Sequence, residues 1–444
     1  MNAQVPGRGG ELVEGGRAIG VGPQWLARLW SGGVHRILDR IDAGLQRGSI
    51  TATLPGGETR LLGGREPGFD AIVELRSWRA LLRLATSGSV GWYQAWEAQE
   101  WDSPDPVPLF ALFMDNAVAL GGVARAHGPW RLLTRLIHAL HRNTRSGSLR
   151  NIHVHYDLGN DFYAQWLGET MFYSSALYSG MADGPNAFSQ FVTELDCAQS
   201  AKAGAMIERL RLQPGQRVLE IGCGWGTLAA FLASYDGIQV DAISLSDEQL
   251  AYARERWTDE GSKDQGSTAG SGAVEFRKQD YRDVGTEDGG GRYDAIVSVE
   301  MVEAVGRAYW PDFFQCLSRN LRPGGRAVLQ YISIHDALFE RYAASADFIQ
   351  TYIFPGGMLV SEAEFRRLSA EHGFMWEDRH GFGQDYARTL REWRRNFDLA
   401  VEEGRLPQGF DERFVRLWRY YLMYCEGGFA GGGIDVAQVT LVKT

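Results

Sequence analysis

The stretch VLEIGCGWGTLAAFLA, residues 218–233, decides the fold class. Arg217 to Ile221 reads as a strand entering a buried sheet, and Thr227 to Ala233 as the helix that follows. Gly222, Gly224 and Gly226 stand between them, where a tight strand-to-helix turn needs backbone freedom. In a doubly wound α/β sheet, such a turn aims backbone N–H groups and a helix N-terminus at a ligand. The spacing matches neither the dinucleotide pattern G-x-G-x-x-G nor the phosphate-cradling G-K-[ST]. A nucleoside-type ligand is therefore favoured over a purely structural turn.

The 444 residues are enough for two or more domains with ample cores. Composition is that of an ordinary globular protein rich in Trp, Tyr and Phe. Cys197, Cys223, Cys316 and Cys425 are scattered and form no C-x-x-C pair, so neither a metal site nor a disulfide framework is suggested, and a reducing cytoplasm fits. No apolar run is long enough to cross a bilayer, and the first twenty residues have no signal-peptide core.

The net charge of −10 argues against general nucleic-acid binding. Its distribution says more. No acidic residue lies between Asp115 and Asp157, and that window carries Arg125, Arg131, Arg135, Arg142, Arg145 and Arg150. A helix over about 129–141 would set Trp130, Leu132, Leu133, Leu136, Ile137 and Leu140 in a broad stripe beside arginines. Such a helix suits an anionic membrane surface, although one docked on its own protein has the same periodicity.

The expected organisation is a disordered tail over 1–20, a small mixed α/β, lipid-associated domain over 21–105, a basic helical region over 106–149 and an α/β domain over 150–444. In the first domain, strands are expected at 50–54 and 71–75 and a helix over 77–86. The α/β domain should have strands at 217–221, 238–244, 274–278, 294–299, 325–332 and 435–442, with helices between most of them. Gly/Ser/Asp-rich stretches at 258–273 and 285–291 read as surface insertions.

Four consecutive strand ends are polar at the edge where doubly wound sheets bind ligands. Glu220 precedes the glycine turn. Ser244, Leu245, Ser246 and Gln249 follow the second strand, and Gln279, Asp280 and Tyr281 the third. The fourth ends in Ser298-Val299-Glu300-Met301-Val302-Glu303. Serines there can meet a ribose or an amino-acid tail, Asp280 can accept from an adenine amino group, and Tyr281 can stack. Taken singly, Ser246 is equally a helix cap and Asp280 a solvated acid.

This pattern resembles the class I S-adenosylmethionine-dependent methyltransferases and, more narrowly, the cyclopropane-fatty-acyl-phospholipid synthase family. The resemblance covers about residues 30–442. It rests on HYDLGNDFY at 155–163, MFYSSA at 171–176, EIGCGWG at 220–226, QDYRD at 279–283, MVEAVG at 301–306 and YIFPGG at 352–357. It implies methyl transfer from S-adenosylmethionine to the cis double bond of an unsaturated phospholipid acyl chain, with closure to a cyclopropane. The alkene attacks the sulfonium methyl, so the site has to supply dry walls, close approach and a base. Tyr173, Tyr281, Tyr386, Phe354 and Trp310 are candidate aromatic walls, since ring faces stabilise a passing cation. Tyr173, Ser174 and Cys223 join the turn, with Gly222 and Gly224, among the residues implied for the cofactor.

The resemblance further implies a bicarbonate ion as proton acceptor, held by Glu303, Tyr386, Gln330 and the backbone near Ser175 and Ile332. Two positions depart from the family: Ser175 stands where many members have cysteine and Gln330 where many have histidine. Gln330 can donate to an anion but cannot become cationic. A fatty-acyl C-methyltransferase that leaves a methyl branch or a methylene is therefore the alternative. A soluble methyltransferase for a small N or O nucleophile is disfavoured by the basic Trp-bearing segment. A silent lipid-binding protein is disfavoured by Glu220, Gly222, Gly224, Asp280 and Glu303. The family implies a homodimer and a cytoplasmic protein lying peripherally at the inner membrane surface.

Overall fold

A computed structural model describes residues 8–14, 31–121, 158–179, 193–257, 272–286, 290–345 and 347–444. The chain divides into two units, and neither is continuous in sequence. One comprises Met1–Arg142, Ile334–Gly356 and Gln408–Ile434; the other comprises Asn143–Ser333, Gly357–Pro407 and Asp435–Thr444.

In the first unit, β1 (Arg47–Thr53), β2 (Thr59–Gly63), β3 (Glu66–Leu75) and β4 (Trp101–Asp102) form a sheet in the order β2-β1-β3-β4. Ile50 and Ala52 point inward from β1, as do Ala71, Val73 and Leu75 from β3, so one face is covered and the other, which carries Asp70, Ile72 and Glu74 of β3, is open. Pro55-Gly56-Gly57 turns β1 back antiparallel onto β2. The helix Arg79–Glu97 brings Tyr93 against Phe348, Tyr352 and Tyr420, with ring centroids 4.9, 4.6 and 5.1 Å away.

These contacts explain why the expected boundaries differ from the observed units. The helix Glu412–Ala430 buries Leu417, Trp418, Tyr420 and Leu422, and the aromatic surface that covers Tyr420 belongs to the N-terminal unit. Gly427 permits the close crossing, since a Cβ there would stand 2.4 Å from Phe110 Cβ. The expected disordered tail also differs in part: Gly10–Glu14 is a short helix with Leu12 and Val13 buried. The basic segment 129–141 lies outside the described residues, as do 258–271 and the first three residues of the 155–163 motif.

The second unit is built on β5 (Arg217–Ile221), β6 (Gln239–Ser244), β7 (Ala273–Lys278), β8 (Tyr293–Val299), β9 (Leu321–Ile334), β10 (Val360–Ser361), β11 (Phe374–Gly381) and β12 (Ile434–Lys443). The sheet runs β11-β12-β9-β8-β5-β6-β7, with β10 beside β9. β7, β6, β5, β8 and β9 are mutually parallel, and β11 pairs antiparallel with β12. This is a doubly wound sheet, as expected. Strand order reverses between β5 and β8, which makes their carboxyl ends the switch point where such sheets bind ligands. Val218, Val240, Phe276 and Val297 fill one face of the sheet against Met206, Leu228, Phe231 and Leu250. The edge strand β11 was not expected from sequence; only Phe374 of it is buried, so it carries no alternation to read.

Candidate functional site

The glycine turn closes on itself first. Gly222 and Cys223 donate their N–H groups to the Ile243 carbonyl at 2.9 and 3.0 Å, and Gly226 donates to the Cys223 carbonyl at 2.9 Å. Gly226 caps the helix Thr227–Ala233 at φ 86°, and a Cβ there would stand 2.8 Å from Ala253 and Phe276. Gly224, at φ 52°, differs in kind: a Cβ there would meet nothing within 4 Å. The chain is bare at Gly224 on its open side, as a cradle for a ligand must be. Ser298 Oγ donates to the Ile221 carbonyl at 2.7 Å and ties β8 to β5 at the switch point.

The other strand ends also form their own bonds. Ser246 Oγ accepts from Gln249 N at 3.3 Å, and Ser244 Oγ from Ser246 N at 3.2 Å while donating to Gln249 Oε1 at 3.3 Å. Ser246 is thus the cap of the helix Asp247–Trp257, with Leu245 between the two serines. Gln279 N donates to the Ser244 carbonyl at 3.2 Å. Asp280 is bonded through both oxygens to Arg282, at 2.9 Å from Nε and 2.5 Å from Nη2. The Tyr281 ring is buried against Phe313 with centroids 5.8 Å apart.

Beside the turn, Tyr163, Trp166, Tyr173, Trp393 and Tyr386 build an aromatic cluster in which Tyr163, Trp166 and Trp393 are fully buried. Tyr173 has centroids 5.5 Å from Tyr163, 5.5 Å from Trp166 and 5.6 Å from Trp393, and Trp393 lies 6.1 Å from Tyr386. Trp225, inside the glycine turn, stands 5.1 Å from Tyr163. Of the other expected wall residues, Trp310 lies elsewhere. Trp310 is fully buried and donates Nε1–H to the Val302 carbonyl at 3.3 Å. Phe354 belongs to the first unit, 6.4 Å from Tyr421.

The segment 170–176 is held from behind by the helix Glu194–Leu210. Asp196 Oδ1 accepts from Thr170 N at 3.0 Å, and Gln199 Nε2 donates to the Ser174 carbonyl at 2.9 Å. Lys202, with no exposed surface, donates Nζ–H to Ser174 Oγ at 2.7 Å and lies 3.6 Å from the centre of the Phe172 ring. Burial lowers the Lys202 ammonium to about 7, against the pull of Glu300 and Glu220. Burial likewise raises the Glu220 carboxyl to about 8, and its Oε2 is buried without a partner among the described residues.

At the centre stands Glu300. Its Oε1 accepts from Ser175 N at 3.0 Å and from Gln330 Nε2 at 2.8 Å, and its Oε2 from Tyr386 O–H at 2.7 Å. Gln330 is oriented by Gln438, whose Nε2 donates to Gln330 Oε1 at 3.1 Å. Glu303 Oε1 accepts the Ile332 N–H in a close contact, while Glu303 Oε2 is buried without a partner among the described residues. Burial, then the neighbouring Glu300 charge, raise the Glu303 carboxyl to about 8.

The expected bicarbonate ligands are therefore brought together, but they bond to the chain itself. Ser175, Gln330 and Tyr386 bond to Glu300, and Ile332 bonds to Glu303. The residues present do not fit the ion. Sequence reasoning placed Glu300 only at a polar strand end and did not single out Lys202, Gln438 or Trp393. Aromatic spacing near 163–166 and 386–393 was the available signal for Trp393.

The residues fit S-adenosylmethionine better: an open glycine cradle, an orphaned buried carboxylate oxygen on Glu220 and polar ends on β6 and β7 surround the switch point.

Comparison with known proteins agrees with that geometry. Residues 143–439 match the mycolic acid cyclopropane synthetase family. The chain is 37% identical over 366 residues to the tuberculostearic acid methyltransferase UfaA1 of Mycobacterium tuberculosis, covering 81% of this chain and 80% of that protein. It is 37% identical over 290 residues to the cyclopropane-fatty-acyl-phospholipid synthase of Escherichia coli K12, covering 65% of this chain and 66% of that one. The solved structure of the cyclopropane synthase MmaA2 from Mycobacterium tuberculosis superposes with a TM-score of 0.55 at 28% identity, over 66% of this chain and 98% of that one. The mycolic acid cyclopropane synthase CmaA1, complexed with SAH and CTAB, gives a TM-score of 0.55 at 25% identity over 66% and 98%. Sheet order, glycine turn and sequence together place this chain in the mycolic acid cyclopropane synthetase family, as an S-adenosylmethionine-dependent C-methyltransferase.

Proposed function

We propose that the protein methylates a carbon of the cis double bond in an unsaturated phospholipid acyl chain. The observation that carries this reading is the aromatic cluster of Tyr163, Trp166, Tyr173, Trp393 and Tyr386, with Tyr173 its partly exposed member, beside the open cradle at Gly224. An apolar chain needs a wall without hydrogen-bonding demands, and a cation formed along it is stabilised by ring faces. S-adenosylmethionine, when bound, supplies an electrophilic methyl group.

In this reading Gly222, Cys223 and Gly224 approach the amino-acid tail, Ser244 to Gln249 the ribose, and Gln279 to Tyr281 the base. Tyr173 and Ser174 close the cofactor site from the opposite side. Asp280, already bonded to Arg282, shapes the adenine edge through the backbone it caps. Glu300, Glu303, Gln330, Ser175, Ile332 and Tyr386 form the acid–base cluster.

Cyclopropane formation is the first reading of the product. A second, a methyl-branched or methylene chain, is favoured by one observation: the donors at Ser175, Gln330 and Tyr386 are turned toward the fixed Glu300 carboxylate. A fixed base selects the departing proton by its position along the chain. The relative that matches over 81% of this chain is moreover a tuberculostearic acid methyltransferase by name.

We further propose a peripheral seat on anionic membrane, through the arginine-rich window between Asp115 and Asp157, and a homodimer. Incubation with radiolabelled S-adenosylmethionine and unsaturated phospholipid vesicles tests the reaction. Label should appear in acyl chains released by saponification; label confined to head groups or protein would refute the reading.

A further inference from the structure

We propose that the Glu300 carboxylate is this chain's built-in anion, standing where the family resemblance implies a bicarbonate ion, and that it accepts the proton released in the reaction. The inference rests on the acyl-chain methylation proposed above.

Three observations carry it. First, the carboxylate receives neutral donors from three separate parts of the second unit: Ser175 N, Gln330 Nε2 and Tyr386 O–H. Convergent donors of this kind define an anion pocket, and here a side chain fills it. Second, Ile332 N, the remaining expected backbone ligand, is occupied by Glu303. A free ion would have to displace both carboxylates from groups they already satisfy.

Third, Glu300 has φ 48°. A non-glycine residue in this region costs about 1 kcal/mol or more, and persists when the surroundings over-determine it. Glycine would relieve the strain, so the side chain has a reason to be there. Met301, its neighbour, packs against the glycine turn: a Cβ on Gly222 would stand 2.9 Å from Met301 Cγ. Glu300 thus sits at the switch point beside the proposed cofactor cradle. Gln330 in place of a histidine also fits, because a neutral donor leaves the carboxylate as the basic partner.

In the reaction, the alkene π pair forms the new carbon–carbon bond to the methyl, and the carbon–sulfur pair leaves with sulfur as a thioether. The other alkene carbon becomes cationic. A C–H bond on the transferred methyl breaks, its proton goes to Glu300, and its electron pair closes the ring. If the proton instead leaves after a hydride shift, the pair forms a new double bond. The protonated Glu300 returns its proton to water before the next turnover.

Bicarbonate dependence decides the matter. The full-length protein is assayed with S-adenosylmethionine and dioleoyl phosphatidylglycerol vesicles in carbon dioxide-free buffer, then with bicarbonate added. The wild type should be equally active in both. Glu300→Gly should lose at least a hundredfold in rate, and bicarbonate or formate should restore a tenfold or larger share. Calorimetry without lipid should show bicarbonate binding to Glu300→Gly and none to the wild type. A wild type that falls silent without bicarbonate, or a Glu300→Gly variant that stays active with no added anion, overturns the proposal. If Glu300→Gly does not fold, the wild-type measurement alone decides. A wild type that labels no lipid under either condition points to failure of the acyl-chain reading itself.

Discussion

Tyr386 donates its phenolic O–H to Glu300 Oε2 at 2.7 Å. A helix in the last third of the chain thereby reaches the carboxyl end of β8, and the contact has a kinetic consequence. Tyr386→Phe removes one of the bonds that hold the Glu300 carboxyl down against the rise caused by burial. Its pKa should climb, and a base that must be deprotonated then works only at higher pH. The acid limb of the kcat profile should shift upward, with kcat falling about ten- to a hundredfold at neutral pH. Cofactor affinity, measured by titration calorimetry, should be unchanged. An unmoved acid limb would assign Tyr386 to packing alone.

The open side of Gly224 gives a second expectation. Gly224→Val places a branched side chain at φ 52° and in the space where the ligand backbone contact is proposed. Binding of S-adenosylmethionine should disappear in calorimetry while far-ultraviolet circular dichroism stays native. The strain costs about 1–3 kcal/mol, so the melting temperature should drop by several degrees and no more. Undiminished affinity would remove this turn from the cofactor site.

Glu303 makes stability depend on pH. Its carboxyl is raised from an ordinary 4.5 to about 8, chiefly by burial. The folded state therefore holds a proton that the unfolded state releases between these values. Its contribution is fully present below pH 4.5 and is lost as pH rises through 8. Glu303→Gln has no such proton to lose. Between pH 5 and pH 8.5 the variant should gain on the wild type by a few kcal/mol, since each pH unit crossed in that window removes about 1.4 kcal/mol from the wild type alone. Paired urea melts across that range measure the difference; parallel curves would mean that Glu303 is ionised throughout.

The arginine-rich window yields a salt-dependent expectation. Arg131→Glu with Arg135→Glu should weaken sedimentation with anionic vesicles, most at low ionic strength. Turnover of detergent-dispersed phospholipid should persist. Equal sedimentation at every salt concentration would assign those arginines to the protein's own surface.

The glycine turn and the five parallel strands were legible in the sequence because local chemistry writes them. Turn glycines, apolar runs and polar strand ends all fall within short windows. The cluster around Glu300 was not legible in the same way. Ser175 lies 125 residues from Glu300 and Tyr386 lies 86 away, so only tertiary closure converts a polar strand end into a filled anion pocket. Lys202 shows the same limit, since a lysine in a helix reads as solvated until the surrounding helix, sheet and 170–176 segment bury it. The domain boundaries were missed because two late segments pack aromatic residues into the first unit, which no composition shift announces. The edge strand β11 stayed hidden because its outer half is exposed on both faces.

The most direct measurement supplies S-adenosylmethionine with a trideuterated methyl group and a monounsaturated phospholipid, then examines the acyl chain by mass spectrometry and NMR. Methylation of the alkene predicts deuterium in the chain. Two deuteriums with the double bond consumed mean a ring, two with vinyl signals a methylene, and three a methyl branch. An acyl chain free of deuterium, with the label in the head group or nowhere in the lipid, would contradict the account.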